Sequence, residues 1–320
     1  MKILITGGSG FIGTNFIEHL LLRGKVEFVN IDLVKPKLKS HNPYWFEGDV
    51  RDAKSLCLVY EKVQPGIVVH LAARTDLNGT SLEDYSSNTL GTKVLLDVLN
   101  HKGFSGKAIF TSSMYVCEPG YTPINFDDYN PHTIYGESKV ESEKIIKTAK
   151  KNYTSTIIRP TSIWGPWFSE PYSDFFNLVL SRKYFNLSKG ACKKTYGYIG
   201  NTVQQISSII NADSAQIDNR VFYLGDWPEY PIDEWAHELA ATVPYKIISL
   251  PYWFFKLIAI FGDSIKTLGF RFPMTSFRLR NMTTDNVHDL SAIRELLNEL
   301  PFDRVQGISH TIEWIKSQKK

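Results

Sequence analysis

Cysteine is scarce in this chain, since only three of its 320 residues are cysteines. Cys57, Cys117 and Cys192 lie far apart, and none belongs to a Cys-x-x-Cys pair. An odd number of isolated cysteines excludes a disulfide framework and favours a reducing compartment, so we expect a cytoplasmic protein. The eight histidines show no metal-ligand spacing, and no metal site is predicted.

The chain also lacks a strong charge of one sign and a long hydrophobic run. Its 36 basic and 33 acidic residues give a net charge of +3, and no block of like charge occurs before the last five residues, so nothing indicates a basic stripe for nucleic acid. The longest apolar stretch, residues 250–261 (LPYWFFKLIAIF), contains a lysine and is too short to cross a bilayer. We expect it to form a buried or partner-facing helix, with shallow insertion into a membrane surface as the alternative. The first predicted strand begins at residue 2, so no signal peptide is expected.

A glycine-rich loop near the start of the chain is the strongest positive signal. The pattern predicts a strand over residues 2–6, a helix over residues 11–23 and a second strand over residues 27–31. Residues 7–13 between the first strand and the helix read GGSGFIG, which fits both GxGxxG and GxxGxxG. Such glycines permit a tight turn and let backbone N–H groups approach a pyrophosphate at the helix N-terminus. The sequence therefore predicts a dinucleotide site.

An acidic residue, Asp32, directly follows the second predicted strand, nineteen residues after Gly13. A carboxylate at this place accepts hydrogen bonds from the ribose hydroxyls and repels a 2'-phosphate, which favours NAD over NADP. Lys35 and Lys37 lie just beyond it and can attract a phosphate, so NADP stays the less favoured alternative.

Strands and helices alternate through the first half of the chain. This alternation predicts a Rossmann-type doubly wound parallel sheet in residues 1–165, which the chain can re-enter from its C-terminal half. Residues 166–320 are predicted to form mainly a smaller substrate-binding lobe. Further strands are predicted over residues 44–47, 67–71, 107–112 and 155–159. Helices are predicted over residues 53–63, 88–100, 137–152, 174–181, 202–211, 232–241, 253–260 and 291–297.

A tyrosine and a lysine suited to acid/base chemistry lie near the middle of the chain. Tyr135 and Lys139 are four residues apart, so on a helix they share one face. A nearby ammonium group favours phenolate, and we expect it to lower the pKa of the tyrosine. Ser113 follows the strand that precedes this helix, and its hydroxyl can reach the same substrate oxygen.

These motifs together resemble the extended short-chain dehydrogenase/reductase superfamily, in its NAD-dependent epimerase/dehydratase branch acting on nucleotide sugars. The matching segments run in order through the first half of the chain, and residues 221–225 match loosely. The segments are residues 7–13, Asp32, residues 48–52 (GDVRD), residues 70–73 (HLAA), residues 88–92 (NTLGT), Ser112 and Ser113, residues 135–139 (YGESK), Arg159 and Pro160, and Gly165 and Pro166.

The resemblance implies a role for each matching position. Ser113 orients the reacting hydroxyl or ketone, Tyr135 acts as acid and base, and Lys139 supplies a cation and binds the nicotinamide ribose. Asn88 supports the lysine through water. The implied cofactor-binding residues are Gly7, Gly10, Phe11, Ile12, Gly13, Asp32, Asp49, Val50, Leu71, Ala72, Ala73, Asn88, Lys139, Arg159 and Pro160.

The sequence departs from the dehydratase pattern directly after Ser113. Sugar dehydratases of this branch have an Asp-Glu pair there, whereas this chain has Met114 and Tyr115, so dehydration is not expected. Cys117 nearby is expected to be a small buried residue, with a second proton donor as the alternative.

Substrate contacts are harder to predict, since the segment after Pro160 is rich in aromatic residues that either stack on a ligand or form core. Arginine binds phosphate bidentately, so basic residues in the second half are candidates for a substrate diphosphate. The candidate substrate residues are Thr75, Met114, Trp164, Phe175, Phe176 and Arg278. Trp167, Phe168 and Tyr172 are further aromatic candidates, and Arg182, Lys183, Arg220 and Arg280 are further basic candidates.

These features predict an NAD-dependent nucleotide-sugar epimerase that acts through a transient 4-keto sugar. The alternatives are a nucleotide-sugar 4-ketoreductase or dehydrogenase with the same residues, a hydroxysteroid-type dehydrogenase, and a non-catalytic dinucleotide-sensing regulator. The family resemblance associates the protein with polysaccharide precursors. It also implies a homodimer through the helices over residues 88–100 and 137–152, with candidate contacts at Val94, Leu95, Val98, Leu99, Val140 and Ile145.

Overall fold

The short apolar segments of the first half form strands of one parallel sheet in the computed structural model of the chain. Strands covered by helices on both faces are rich in Val, Ile and Leu, as they are here. The structure describes residues 2–24, 26–188, 192–270, 272 and 274–318. The strands are β1 (Lys2–Thr6), β2 (Glu27–Asp32), β3 (Trp45–Glu47), β4 (Ile67–His70), β5 (Lys107–Thr111), β6 (Thr154–Pro160), β7 (Ser162–Trp164), β8 (Phe185–Leu187), β9 (Lys193–Lys194), β10 (Tyr196–Tyr198), β11 (Val221–Leu224), β12 (Tyr230–Pro231) and β13 (Ile248–Leu250).

The main sheet of the described residues has seven strands in the order β11-β6-β5-β4-β1-β2-β3. Every neighbouring pair in it is parallel. The strand order reverses between β1 and β4, and the crevice at such a switch point is where open α/β sheets bind ligands. This architecture confirms the predicted Rossmann-type doubly wound sheet. Strand β11 comes from the C-terminal half of the chain, and the division into lobes at residue 165 stays a prediction.

Helices cover both faces of this sheet, because successive side chains of each strand point to opposite sides. Ile3 and Ile5 of β1 pack in one apolar cluster with α1 and α6, whereas Leu4 packs in another with α2 and α3. The helices are α1 (Phe11–Arg23), α2 (Ala53–Val63), α3 (Ser86–His101), α4 (Ile134–Thr148), α5 (Tyr172–Leu180), α6 (Ile199–Asn211), α7 (Ser214–Ile217), α8 (Ile232–Ala240), α9 (Tyr252–Thr267), α10 (Ser276–Met282), α11 (Ser291–Leu296) and α12 (Arg304–Ser317).

Most predicted elements are present, with three differences that matter for the site. Helix α4 begins three residues before the predicted start, because the Thr133 hydroxyl caps it by accepting a hydrogen bond from the Gly136 N–H at 3.0 Å. Helix α9 continues well past the predicted end at Ile260. Helices α10 and α12 were not predicted. None of the helices in the described ranges is long and apolar enough to cross a membrane.

Candidate active site

The glycine loop connects β1 to α1 in a conformation that only glycine fits comfortably. Gly7 has a φ of 75°, and a Cβ atom there would lie 2.4 Å from the backbone nitrogen of Ala72. A Cβ atom on Gly13 would lie 2.4 Å from the Cα of Gly8, so the helix and the loop are in close contact. No side chain caps α1 at Gly10, and its first turn has no acidic residue. The N-terminus of α1, with Phe11 and Ile12 in its first turn, can therefore accept an anion such as a pyrophosphate.

Asp32 lies at the end of β2 beside this loop. One carboxylate oxygen accepts a hydrogen bond from the Ser9 N–H at 2.9 Å, and the other accepts one from the Val34 N–H at 2.9 Å. A carboxylate has further lone pairs for ribose hydroxyls. Lys37 instead lies over the ring of Trp167 at 5.7 Å and donates to its carbonyl at 3.4 Å. The loop, the helix N-terminus and the carboxylate fit a dinucleotide.

Ser113 and Tyr135 meet at the carboxyl end of β5. The Ser113 hydroxyl accepts a hydrogen bond from the Tyr115 N–H at 3.1 Å and lies close enough to Tyr135 to lower the pKa of its phenol. Both side chains are buried. The predicted juxtaposition of the serine and the tyrosine is therefore present.

The electrostatics of Tyr135 differ from the sequence-based expectation. Burial raises the pKa of Tyr135 to about 12, and the hydrogen bond from Ser113 lowers it only in part. The Lys139 ammonium donates to the carbonyl of Thr111 at 2.9 Å and is not among the groups that shift the pKa of the tyrosine. The expected lowering by Lys139 is thus wrong for the protein alone, because desolvation outweighs the neighbouring charge.

Lys139 is itself buried, and burial lowers its pKa to about 8. The carboxylate of Glu143, one turn further along α4, opposes this change. A lysine with a pKa near neutrality can exchange a proton under ordinary conditions. Tyr135, Lys139 and Glu143 thus form one row of buried ionisable side chains on α4.

Asn88 joins the loop after β4 to α4. Its amide oxygen accepts a hydrogen bond from the Arg74 N–H at 2.8 Å, and its amide nitrogen donates to the Ser138 hydroxyl at 2.9 Å. Ser138 precedes Lys139 in sequence, so Asn88 fixes the position of α4 beside the site. Leu71 and Ala72 continue the chain from β4 alongside β1. The Leu71 N–H donates to the Thr6 carbonyl at 2.9 Å, and the Ala72 N–H donates to the Thr6 hydroxyl at 3.3 Å. Ala73 follows them.

The remaining predicted cofactor residues lie around the same crevice, and the side chains of Asp49, Val50 and Arg159 contact other residues of the chain. Asp49 forms an ion pair with Arg51 at 2.6 Å, which keeps the pKa of the carboxyl low. Val50 is buried against Gly91. The Arg159 guanidinium forms a fully buried bidentate ion pair with Glu143, with both N–O distances at 2.8 Å. The side chain of Arg159 is therefore not available to a cofactor.

Three predicted substrate residues belong to the core instead. Trp164, Phe175 and Phe176 are buried and pack around Trp235 with ring centroids 4.6–5.6 Å apart. Sequence cannot distinguish a buried aromatic cluster from a ligand-stacking one, and here the aromatic rings bury each other. Trp164, Phe175 and Phe176 are therefore not available to stack on a substrate. Phe168 lies in the same core, while Tyr172 and Trp167 lie at its edge.

The other substrate candidates are dispersed. Thr75 is exposed after β4, and Met114 is half-buried with its sulfur 3.5 Å from the side-chain nitrogen of Asn286. Arg278 of α10 forms an ion pair with Asp174 at 3.3 Å. Arg220 precedes β11, so it lies at the amino end of the sheet and away from the crevice. Among the further basic candidates, Arg280 pairs with Glu118, and Arg182 and Lys183 follow α5.

Cys117 is buried in a small cluster with Val116 and Val140, and its thiol donates weakly to the carbonyl of Asp128 at 3.5 Å. Burial raises the pKa of this thiol. These surroundings favour a packing role over proton transfer.

Sequence reasoning missed an aromatic stack that leads into the site. The ring of Tyr115 lies 5.9 Å from that of Tyr135, His132 stacks on Tyr115 at 5.6 Å, and Phe277 of α10 stacks on His132 at 5.8 Å. Both ring nitrogens of His132 are buried without a hydrogen-bond partner among the described residues. No local motif marks these residues, because α10 reaches them from far along the chain.

The helices expected at a dimer interface use most of their apolar residues within the subunit. Leu95, Val98 and Leu99 of α3 and Val140 of α4 are buried in the chain itself, and Val94 and Ile145 are partly buried. The homodimer stays a prediction. The described residues contain no cluster of three or more potential metal ligands.

A glycine loop with an acid after the second strand, beside a serine, a tyrosine and a lysine, defines a dinucleotide-dependent enzyme of the extended short-chain dehydrogenase/reductase class. The chain belongs to the NAD dependent epimerase/dehydratase family, whose model matches residues 3–225. This membership confirms the predicted enzyme class and its dependence on NAD.

Relatives and solved structures agree with this membership. The chain is 26% identical to an N-acetyl-alpha-D-glucosaminyl-diphospho-ditrans,octacis-undecaprenol 4-epimerase of Escherichia coli O157:H7, over 98% of this chain and 95% of the relative. It is 30% identical to a UDP-glucose 4-epimerase of Vibrio cholerae, over 82% of this chain and 83% of the relative. The fold is similar to that of a UDP-glucose 4-epimerase of Thermotoga maritima solved with UDP-glucose, with a TM-score of 0.77, 19% identity and full coverage of both chains.

Proposed function

We propose that this protein is an NAD-dependent 4-epimerase of a hexose that is linked to a diphosphate. The observation that carries the proposal is the burial of Ser113, Tyr135 and Lys139 near the carboxyl end of β5, where the Lys139 ammonium donates to the Thr111 carbonyl. Two relatives that cover most of the chain are named as 4-epimerases, and both names describe a hexose joined to a diphosphate.

Tyr135 removes the proton from the 4-hydroxyl of the sugar and later returns it to the 4-ketone. Ser113 holds the same oxygen by a hydrogen bond. When bound, NAD would accept a hydride from C4 and return it to the opposite face of the 4-ketone, so the configuration inverts and no net oxidation results. The pKa of Tyr135 is about 12 in the protein without ligands. The cationic Lys139 must therefore lower the pKa of Tyr135 more strongly in the complex than in the protein alone.

A reductase or dehydrogenase of the same family stays the second candidate. Its residues would be the same, since proton transfer at an alcohol or ketone needs the same serine, tyrosine and lysine. Net formation of NADH and release of a keto sugar would favour this second candidate.

The first test is mass spectrometry of the supernatant after denaturing the purified protein, followed by incubation with diphosphate-linked hexoses. We expect bound NAD and interconversion of 4-epimers without net NADH. Protein that contains no dinucleotide and needs added NADPH to reduce a keto sugar would contradict the epimerase and the role of Asp32.

A further inference from the structure

Helix α9 has an apolar face that the rest of the described chain leaves uncovered. Trp253, Leu257 and Phe261 are each more than half exposed, and Ile260 lies between them. Their spacing of three and four residues places them on one side of the helix. The opposite side packs on the protein. Its buried residues are Phe255, Ala259 and Gly262.

The exposed face extends beyond the helix itself. Leu268 and Phe270 follow α9 with exposed fractions of 74% and 70%. Contiguous exposed apolar surface of this kind marks a binding surface in a soluble protein. The structure has a helix there with only one side buried, so the partner-facing helix and the membrane-surface helix expected from the sequence both stay predictions.

The segment that contains this face is rich in basic residues. Residues 242–283 contain six of the 36 basic residues and one of the 33 acidic residues, so the segment has a charge of +5 and the other 278 residues have a charge of −2. Lys256 and Lys266 lie on α9 itself and are exposed. An exposed apolar helix face in a segment of net positive charge is complementary to an anionic lipid surface. Two copies of the segment would repel each other, which disfavours a second copy as the occupant.

The exposed helix is connected to the candidate active site. The Asp263 carboxylate of α9 accepts a hydrogen bond from the Ser276 N–H at the start of α10, at 3.2 Å. Phe277 of α10 then begins the aromatic stack that passes through His132 and Tyr115 to Tyr135 in three contacts of 5.6–5.9 Å. These contacts connect α9 through α10 to the side chain of Tyr135.

We propose that α9 docks on the surface of anionic phospholipid membranes and that the sugar diphosphate substrate is carried by a membrane lipid. The identity of the substrate rests on the proposed 4-epimerase function, whereas the docking rests on α9 alone. A single interfacial helix gives reversible attachment, so the protein exchanges between the membrane and the solution.

The docking is tested by co-sedimentation with vesicles of phosphatidylglycerol and phosphatidylethanolamine, with phosphatidylcholine vesicles for comparison. We expect binding to the anionic vesicles that weakens as salt increases. The double variant Trp253→Glu/Leu257→Glu should lower the partition coefficient by about tenfold or more, because it places two charges in the apolar face. Leu22→Glu/Ile124→Glu is the matched control, since these side chains are 89% and 91% exposed elsewhere on the surface.

The substrate is tested with N-acetylglucosaminyl-diphospho-undecaprenol in the same vesicles and with UDP-N-acetylglucosamine in solution. We expect turnover of the vesicle-borne sugar, a loss of about tenfold or more in the α9 double variant, and normal turnover in the control variant. Bound NAD, measured in each variant, verifies that the fold is intact.

The outcomes separate the docking from the proposed function. Absence of vesicle binding, or equal binding by the wild type and the α9 double variant, overturns the docking. If the wild type is a dimer that does not bind vesicles, and the α9 double variant is a monomer, the exposed face of α9 binds a second copy of the chain instead. Turnover of the UDP-linked sugar alone overturns the lipid-carried substrate and keeps the epimerase. Vesicle binding without turnover of either substrate supports the docking and contradicts the epimerase.

Discussion

Replacement of Glu143 by glutamine should destabilise the fold strongly. Glu143 and Arg159 are both fully buried and form two hydrogen bonds of 2.8 Å. Arg159 also donates to the Tyr223 hydroxyl at 3.1 Å and to the Phe126 carbonyl. Glu143→Gln removes the negative charge and leaves the guanidinium charge uncompensated in the interior. Removal of one partner of a buried ion pair costs about 3–5 kcal/mol, and we expect about 3 kcal/mol because the amide keeps one acceptor.

The assay is the free energy of unfolding from urea titration. Glu141→Gln on the same helix is the control, since Glu141 pairs with Lys144 at the surface and such pairs contribute at most about 1 kcal/mol. The double variant Glu143→Leu/Arg159→Met should be more stable than either single change, because no charge is left unpaired. Equal effects of Glu143→Gln and Glu141→Gln, or additive losses in the double variant, would refute the reasoning.

Three other changes test the cofactor site and the buried His70. Gly7→Ala should lower the dinucleotide affinity measured by calorimetry and the melting temperature, because its Cβ would lie 2.4 Å from the backbone of Ala72 at a φ of 75°. Asp32→Ala should shift the ratio of NADP to NAD affinity toward NADP, since the repelling carboxylate is removed; an unchanged ratio contradicts its assignment. Burial lowers the pKa of His70 from 6.5 to about 3, so the unfolded chain binds a proton first as the pH falls. The contribution of His70 to stability is complete above pH 6.5 and is lost toward pH 3, at up to about 1.4 kcal/mol per pH unit. His70→Gln should flatten the fall in unfolding free energy across this range, and an unchanged slope would assign the effect to other groups.

The cofactor half of the fold was predictable because its signals are local. The glycine loop, the strands beside it and Asp32 follow one another within 32 residues, and a Cβ atom on Gly7 or Gly13 would lie 2.4 Å from a backbone atom. The predicted bounds of α1 and α2 agree with the structure. Helix α12 was missed although a signal was present, since Asp303 and Gln306 form a capping box that starts it.

The substrate side was not predictable because it depends on contacts between distant segments. Burial of Trp164 arises from Trp235, seventy-one residues away in sequence. The pKa of Tyr135 depends on desolvation by packed neighbours, which a tyrosine-lysine spacing does not contain. Helix α9 is apolar on both of its sides, so its sequence does not indicate which side packs on the protein and which side is exposed.

The measurement that tests the central claim most directly compares 4-epimer interconversion by the wild type, Tyr135→Phe and Tyr121→Phe. Tyr121 is an exposed tyrosine that donates to Asp128 outside the site. We expect Tyr135→Phe to lose about 100-fold to 10,000-fold in kcat with unchanged NAD binding, because the acid/base group is removed. Tyr121→Phe should keep full turnover. Full turnover by Tyr135→Phe would contradict the assignment of Tyr135 and with it the proposed chemistry.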